Sequence, residues 1–365
     1  MSLQCGIVGL PNVGKSTLFN CLSNAHALAA NYPFATIEPN VGVVNIPDDR
    51  LFTLEKLINP QRVVPTTVEI VDIAGLVEGA SKGEGLGNQF LSNIRNTDAI
   101  VHVIRCFDDD NVVHVNGKIN PVRDKEIIDI ELQLKDIESV EKKISKLEKL
   151  LKSNDKEAKT GIEVLQVYLN HLGQGHSART APVEEEERRF IKDIDLLTAK
   201  PVLYVCNVDE NAAASGNAYT RALQEAVAHE NAEVLIICAA MESDIAELDT
   251  YEERMMFLND LGLSEPGISK LIKSSYRLLD LITYFTAGEK EVRAWTITKG
   301  TKAPQAAGVI HSDFERGFIR AEVIAFNDFV QCGSEAAARA VGKLNVEGKE
   351  YVVQDGDIMH FRFNV

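Results

Sequence analysis

Gly9-Leu10-Pro11-Asn12-Val13-Gly14-Lys15-Ser16 is the stretch that decides the fold. It fits G-x-x-x-x-G-K-[ST], the pattern of a phosphate-binding loop. Each residue type has a chemical reason to be there. The glycines let backbone N–H groups turn inward around phosphate oxygens. Lys15 places a point charge on the β and γ oxygens. The Ser16 hydroxyl is suited to ligate Mg2+, and the N-terminus of a following helix favours the anion. The loop follows a short apolar run, residues 3–10, and precedes a helical pattern, residues 16–22. Strand, loop, helix is the context this motif requires. The candidate nucleotide-binding residues are therefore Asn12, Val13, Gly14, Lys15, Ser16 and Thr17.

Outward from the loop, further apolar runs stand at residues 68–73, 99–106, 201–206 and 234–238, each short and rich in Val and Ile. Buried strands of a mostly parallel sheet read this way, and helical patterns between several of them complete an α/β fold. The run at 68–73 leads into Asp72-Ile73-Ala74-Gly75, a D-x-x-G. Asp72 would hold Mg2+, directly or through water, and the Gly75 amide would sense the γ-phosphate. Gly79, Gly83, Gly85 and Gly87 follow, a stretch suited to switching. Between loop and D-x-x-G lies Tyr32-Pro33-Phe34-Ala35-Thr36-Ile37-Glu38-Pro39. Thr36 is the candidate for a hydroxyl that reaches Mg2+ only when the γ-phosphate is present. The expected metal ligands are thus Ser16, Thr36 and Asp72.

A phosphate loop alone also suits a metabolic kinase, but the Asp72 loop and the segment Asn207-Val208-Asp209-Glu210 are of switch type. That segment follows the fourth apolar run, where guanine-specific switches carry N-K-x-D. The Asp of that motif accepts two hydrogen bonds from guanine. Here Glu210, one methylene longer, takes its place, and Val208 replaces the lysine that covers the base. Adenine has no 2-amino donor. It offers an N6 donor and an N1 acceptor, which Asn207 or nearby backbone can meet, with Val208 packing on the ring. ATP is therefore expected in preference to GTP; a degenerate motif of weak selectivity is the alternative.

Composition bounds the rest. The 365 residues include 54 acidic and 38 basic ones, a formal net charge of −16, with 45% hydrophobic and 25% charged residues. That excludes disordered, collagenous and purely coiled-coil chains. No apolar stretch approaches the length of a membrane span, and the opening Met1-Ser2-Leu3-Gln4-Cys5 is not expected to be a signal peptide. The six cysteines include no CxxC pair, so reduced, mostly buried cytosolic thiols are expected.

Residues 126–195 break the α/β rhythm. Ile127, Ile130, Leu134, Ile137, Val140, Ile144, Leu147 and Leu151 form a heptad-like stripe with one stammer. A break at Ser153-Asn154-Asp155 and a second stripe, Ile162, Leu165, Leu169 and Leu172, follow; Glu184 to Arg189 opens another charged helix. An antiparallel helical hairpin inserted between two strands is expected. Past residue 281, short β-prone runs broken by Gly and Pro surround one helical pattern at 334–341 and a turn at Asp355-Gly356-Asp357. This predicts a small α+β domain. The expected division is residues 1–125 plus 196–280 for the nucleotide domain, 126–195 for the insert and 281–365 for the last domain.

Taken together, the chain resembles the Obg-related P-loop NTPases, and within them the YchF-type Obg-like ATPases. The likeness rests on the phosphate loop through Thr17, Tyr32-Pro33-Phe34, Asp72-Ile73-Ala74-Gly75-Leu76-Val77, Gly83-Glu84-Gly85-Leu86-Gly87 and Asn207-x-x-Glu210. It continues through Tyr284-Phe285-Thr286-Ala287-Gly288, Arg293-Ala294-Trp295-Thr296 and Asp355-Gly356-Asp357. The resemblance implies an inserted coiled coil, a carboxyl-terminal TGS domain, slow ATP hydrolysis with Mg2+, and association with ribosomes (the large subunit or the whole particle) or RNA. A cytoplasmic protein follows, with no membrane partner and no DNA sequence specificity.

Ras-type switches place a water-orienting Gln directly after D-x-x-G. Here Leu76 and Val77 follow, and neither orients water. Either another group does so or turnover is slow without a partner. His114, in the loop after the third apolar run, is the candidate catalytic group beside Lys15, Thr36 and Gly75. A nucleotide-driven switch and a nucleotide-independent ribosome or RNA adaptor both remain open. The acidic balance argues against a general nucleic-acid coat protein, yet it is concentrated in residues 196–280, with 6 basic and 14 acidic, while residues 281–365 carry 10 and 11. A ribosomal contact through the last domain or the arm's Lys142, Lys143, Lys146 and Lys149 is compatible with the charge.

Overall fold

A computed structural model describes residues 3–29, 41–73, 86–115, 117–151, 155–248 and 250–364. In chain order the strands are β1 (Gln4–Val8), β2 (Val41–Asn45), β3 (Val63–Val64), β4 (Thr67–Asp72), β5 (Ala99–Arg105), β6 (Val202–Asn207), β7 (Glu233–Ile237), β8 (Leu281–Ala287), β9 (Val292–Thr298), β10 (Phe318–Ala325), β11 (Asn345–Glu347) and β12 (Asp357–Phe363). The α-helices are α1 (Lys15–Ala29), α2 (Asp49–Ile58), α3 (Leu86–Arg95), α4 (Pro121–Leu151), α5 (Lys156–Gly173), α6 (Ala218–Val227), α7 (Ala239–Glu247), α8 (Tyr251–Asp260), α9 (Gly267–Leu278), α10 (Ala303–Ile310), α11 (Ser312–Arg316), α12 (Phe326–Cys332) and α13 (Glu335–Ala340). Two compact units result: residues 1–42 with 69–271, and residues 43–68 with 272–365.

The first unit is built on β4, β1, β5, β6 and β7 of a sheet of order β2-β4-β1-β5-β6-β7. β4, β1, β5, β6 and β7 pair in parallel, with Cys5 opposite both Ile70 and Ala99, and Ile100 opposite Val202. β5 and β6 are buried along their whole length. Covered on both faces, such strands read as continuous apolar runs, which is why the sequence announced them.

α4 and α5 form the inserted hairpin. Its antiparallel sense follows from its two ends: Gly161 lies against Leu147, while Gln133 Nε2 donates to Gly175 O at 3.0 Å. Val140, Val164, Leu165, Tyr168 and Leu172 form its core, joined by Ile137, Ile144 and Leu147. The expected stripe holds there and fails nearer the start of α4. Ile130 and Leu134 are 51% and 45% exposed, and Ile128 and Leu132 are buried instead. The reason is polar. This half of α4 turns inward Asp124, Lys125, Asp129 and Asp136, each of which finds a partner. Lys125 Nζ meets Asp129 at 2.7 Å and Glu230 at 2.5 Å, and Arg179 meets Glu230 at 2.9 Å. Asp136 accepts from Leu197 N, Thr198 N and the Thr198 hydroxyl at 2.7–2.8 Å. A buried ion pair with its hydrogen bonds made is tolerated, so a charged residue can face inward and displace an isoleucine. The charged helix expected from Glu184 is a 3-10 helix, Glu185–Ile191.

The second unit carries a sheet of order β11-β10-β12-β8-β9-β3. One face holds Tyr284, Ile297, Phe318, Ala321, Val323, Met359 and Phe361. The other holds Phe285, Val292, Ala294, Ile324 and Ile358, and it also takes Leu51 and Leu54 from α2. β3 pairs with β9 in parallel, Val63 opposite Val292. The turn at Asp355-Gly356-Asp357 is fixed from both sides. Asp355 accepts from Thr283 N at 2.9 Å and pairs with Arg50 at 2.7 Å, and Gly356 has φ +90°. Residues 43–68, which the sequence placed with the nucleotide domain, thus belong to this unit.

Candidate nucleotide-binding site

The phosphate loop runs from the end of β1 into α1. Gly14 has φ +96°, and a Cβ there would stand 2.2 Å from Asn207 Nδ2. A Cβ at Gly9 would stand 2.5 Å from the Val103 carbonyl oxygen. Both positions need glycine for the room, and Gly14 needs it for its left-handed backbone as well. Ser16 and Thr17 are exposed at the start of α1.

Lys15 is buried, and its Nζ donates to Leu10 O at 3.1 Å. Burial pulls this ammonium below its ordinary pKa, and the Asp72 carboxylate opposes that. Burial raises Asp72 in turn, opposed by Lys15. Asp72 ends β4, and its Oδ1 is buried without a hydrogen-bond partner among the described residues. A buried, unsatisfied carboxylate oxygen calls for an explanation. A divalent cation fits it: the donors available are hard oxygens, Asp72 and the Ser16 hydroxyl, as Mg2+ prefers. Thr36 and Gly75, the other two expected γ-phosphate sensors, lie outside the described residues, as do Leu76 and Val77.

Asn207, at the end of β6, is placed differently from its expected role at the base. Its Nδ2 donates to Val13 O at 2.9 Å, and its Oδ1 accepts from Ala239 N at 3.0 Å. The side chain braces the phosphate loop against the start of α7 with one amide hydrogen and one carbonyl lone pair. Val208 is 2% exposed, and its N–H donates to Ile237 O at 2.9 Å. Its side chain is covered by protein and offers no free face for a ring, which corrects the expected stacking. Glu210 is exposed at the mouth of a 3-10 turn that Asp209 caps through Ala212 N.

His114 is buried, with Nε2 2.8 Å from Asp124 Oδ2. An ionised carboxylate only accepts, so the ring donates through Nε2–H and the tautomer at that nitrogen is fixed. Two side chains hold the loop that carries it. Asn12 Nδ2, in the phosphate loop, donates to Val113 O at 3.2 Å. The buried Arg105 guanidinium donates to the carbonyls of Phe107 (3.1 Å), Val112 (2.8 Å) and Asp109 (3.1 Å). So the phosphate loop meets Asn207 and the His114 loop through hydrogen bonds, and Lys15 and Asp72 through their charges. Sequence reasoning missed Arg105 and Asp124. Neither has a motif, and only a basic residue at the end of an apolar strand hinted at the first.

Comparison with known proteins bears on this geometry. A family model described as "50S ribosome-binding GTPase" matches residues 4–150, and YchF-GTPase_C, described as a protein of unknown function, matches residues 281–364. The Ribosome-binding ATPase YchF of Bacillus subtilis is 57% identical, over 100% of both chains. That of Haemophilus influenzae is 56% identical, again over 100% of both. The chain belongs to the YchF family. The structure of the Schizosaccharomyces pombe YchF GTPase matches with a TM-score of 0.90 and 40% identity, covering 99% of this chain and 98% of that one. A GTP binding protein from Pyrococcus horikoshii OT3 shares the fold, with a TM-score of 0.62 at 19% identity. The α/β architecture with a P-loop nucleotide domain and a distinct carboxyl-terminal unit is that of YchF proteins. No helix among the described residues is long and apolar enough to cross a membrane.

Proposed function

We propose that this YchF protein is a ribosome-associated ATPase switch that binds ATP with Mg2+ in preference to GTP and turns over slowly without its partner. The observation that carries the reading is the end-to-end match to relatives named Ribosome-binding ATPase YchF. The site supports it. Lys15 and the amides of the Gly9–Ser16 loop bind the phosphates, and Ser16, Thr36 and Asp72 are the residues that would hold Mg2+. A cation held there would supply positive charge that offsets the charge of the phosphates. Asn207 and Arg105 keep the loops in register by the hydrogen bonds described above. Asp124 orients His114, the candidate for aligning the attacking water. Leu76 and Val77, following Gly75, supply no such group, which favours low intrinsic turnover. Base preference rests on Glu210, whose extra methylene displaces its carboxylate from the two donors of guanine. A cytoplasmic location accompanies a ribosomal partner.

Competition of ATP and GTP for one site tests the base preference; tighter GTP binding would refute it. The second reading, relaxed base specificity, has one observation in its favour, since the Schizosaccharomyces pombe relative is named a GTPase. Ribosome co-sedimentation with ADP, a non-hydrolysable ATP analogue and no nucleotide separates a switch from a nucleotide-independent adaptor. Equal sedimentation in all three would mean an adaptor. His114→Ala should lower turnover with little change in ATP affinity; unchanged turnover would remove His114 from the mechanism.

A further inference from the structure

On the second unit, β10 and β12 pair antiparallel, with Ile324 opposite Ile358, Glu322 opposite His360 and Arg320 opposite Arg362. These pairs alternate onto one face. At one end Ile324 and Ile358 enter the core. At the other the face is open: Arg320 and Arg362 are about half exposed, His360 is exposed, and Val346 of β11, opposite Glu322, is exposed too. Arg339 reaches the same place from α13. All three guanidinium groups converge on Glu322, whose side chain is only 4% exposed. The distances are 3.1 Å from Arg339, 3.2 Å from Arg362 and 3.5 Å from Arg320. Glu335 takes a second contact from Arg339 at 3.2 Å.

One carboxylate cannot saturate three guanidinium forks. Together with Glu335 it offsets two of the three charges and holds the cations in one place, each arginine side chain staying about half exposed. We propose that Arg320, Arg339 and Arg362, gathered by Glu322, form a docking face for the sugar–phosphate backbone of folded ribosomal RNA. The inference rests on the ribosome reading above and names the surface that reading lacks. The chemistry favours RNA. Guanidinium forks match phosphate oxygens bidentately, and side chains from two paired strands and a helix give several such forks on one face. In a chain of net charge −16 a local cationic face can still attract a polyanion, since screening confines each charge to about 8 Å at physiological salt. His360 and Val346 add a ring and an apolar surface beside the arginines.

The test compares the full-length wild type with Arg320→Gln/Arg362→Gln in two assays, co-sedimentation with ribosomes and anisotropy of a short double-stranded RNA over a salt series. The expected result is a loss of about tenfold or more in both. The slope of log affinity against log salt should flatten by roughly 1 to 2, since each lost phosphate contact removes about 0.7–0.9. ATP binding should be unchanged. If the double variant unfolds, Arg320→Gln alone carries the test, because its single long contact makes it dispensable for folding. RNA binding equal to wild type overturns the proposal. So does ribosome binding that depends on these arginines while the wild type ignores double-stranded RNA, for then the partner is an acidic protein surface. If the wild type does not sediment with ribosomes at all, the ribosome reading fails, and the RNA assay still decides the arginine face.

Discussion

Asn207 occupies the first position of the base-reading segment, yet both its polar ends serve the protein. Asn207→Ala would leave Val13 O and Ala239 N without partners, a cost of about 2–4 kcal/mol in stability. Because the brace acts on the loop and not on the base, affinities for ATP and GTP should fall by the same factor, measured by fluorescent-nucleotide titration. A loss confined to ATP would restore Asn207 as a base reader. At this scale the phosphate loop was fully legible, because glycine, lysine and serine at fixed spacing have few other uses. The His114–Asp124 pair was not. A histidine in a loop says nothing of the carboxylate that the first turn of a long helix will bring to it.

At the scale of elements, the legible ones were those whose apolar residues are covered on both faces, such as β5 and β6. α4 misled because its first half meets charge with charge. Lys125 finds Glu230 more than a hundred residues later, and no period in a local window contains that partner. The two halves should answer substitution differently. Val140→Ala, in the hairpin core, should cost about 1–3 kcal/mol, whereas Leu134→Gln, on the exposed face, should stay within about 0.5 kcal/mol. Urea unfolding of the two variants checks this, and the opposite order would restore the heptad face. β5 also carries His102, buried beside Tyr204. Burial, reinforced by the Lys125 and Arg179 charges, pushes its imidazole down to about 3. In the unfolded chain it titrates near the ordinary value of 6.5. The unfolded state therefore binds the extra proton first, and the stability associated with neutral His102 is present above pH 6.5 and lost as pH falls from there toward 3. The slope is up to about 1.4 kcal/mol per pH unit. His102→Leu should flatten the acid limb of the unfolding free energy by that amount between pH 6 and 4; an unchanged limb would mean His102 does not contribute to it.

For the whole molecule, net charge was a poor guide until it was resolved by segment. The arm lysines divide in the same way. Lys143 is half-buried, donating to Phe190 O at 2.5 Å and pairing with Asp193, and Lys142 pairs with Glu138. Lys146 and Lys149 are exposed and remain the arm's candidates for a ribosomal contact. Lys146→Glu/Lys149→Glu should weaken ribosome co-sedimentation, most clearly at low salt, and leave ATP turnover unchanged. No effect at low salt would remove the arm from the contact.

Leu51 and Leu54, made early, share a core with Phe285, Ile324 and Ile358, made late. During synthesis these leucines leave the ribosome with no cover available. At about 5–20 residues per second, the strands that shelter them follow roughly ten to sixty seconds afterwards. A growing chain must carry that greasy helix unfinished for most of its own translation, and a fragment begun at residue 281 would emerge with a socket and nothing to fill it.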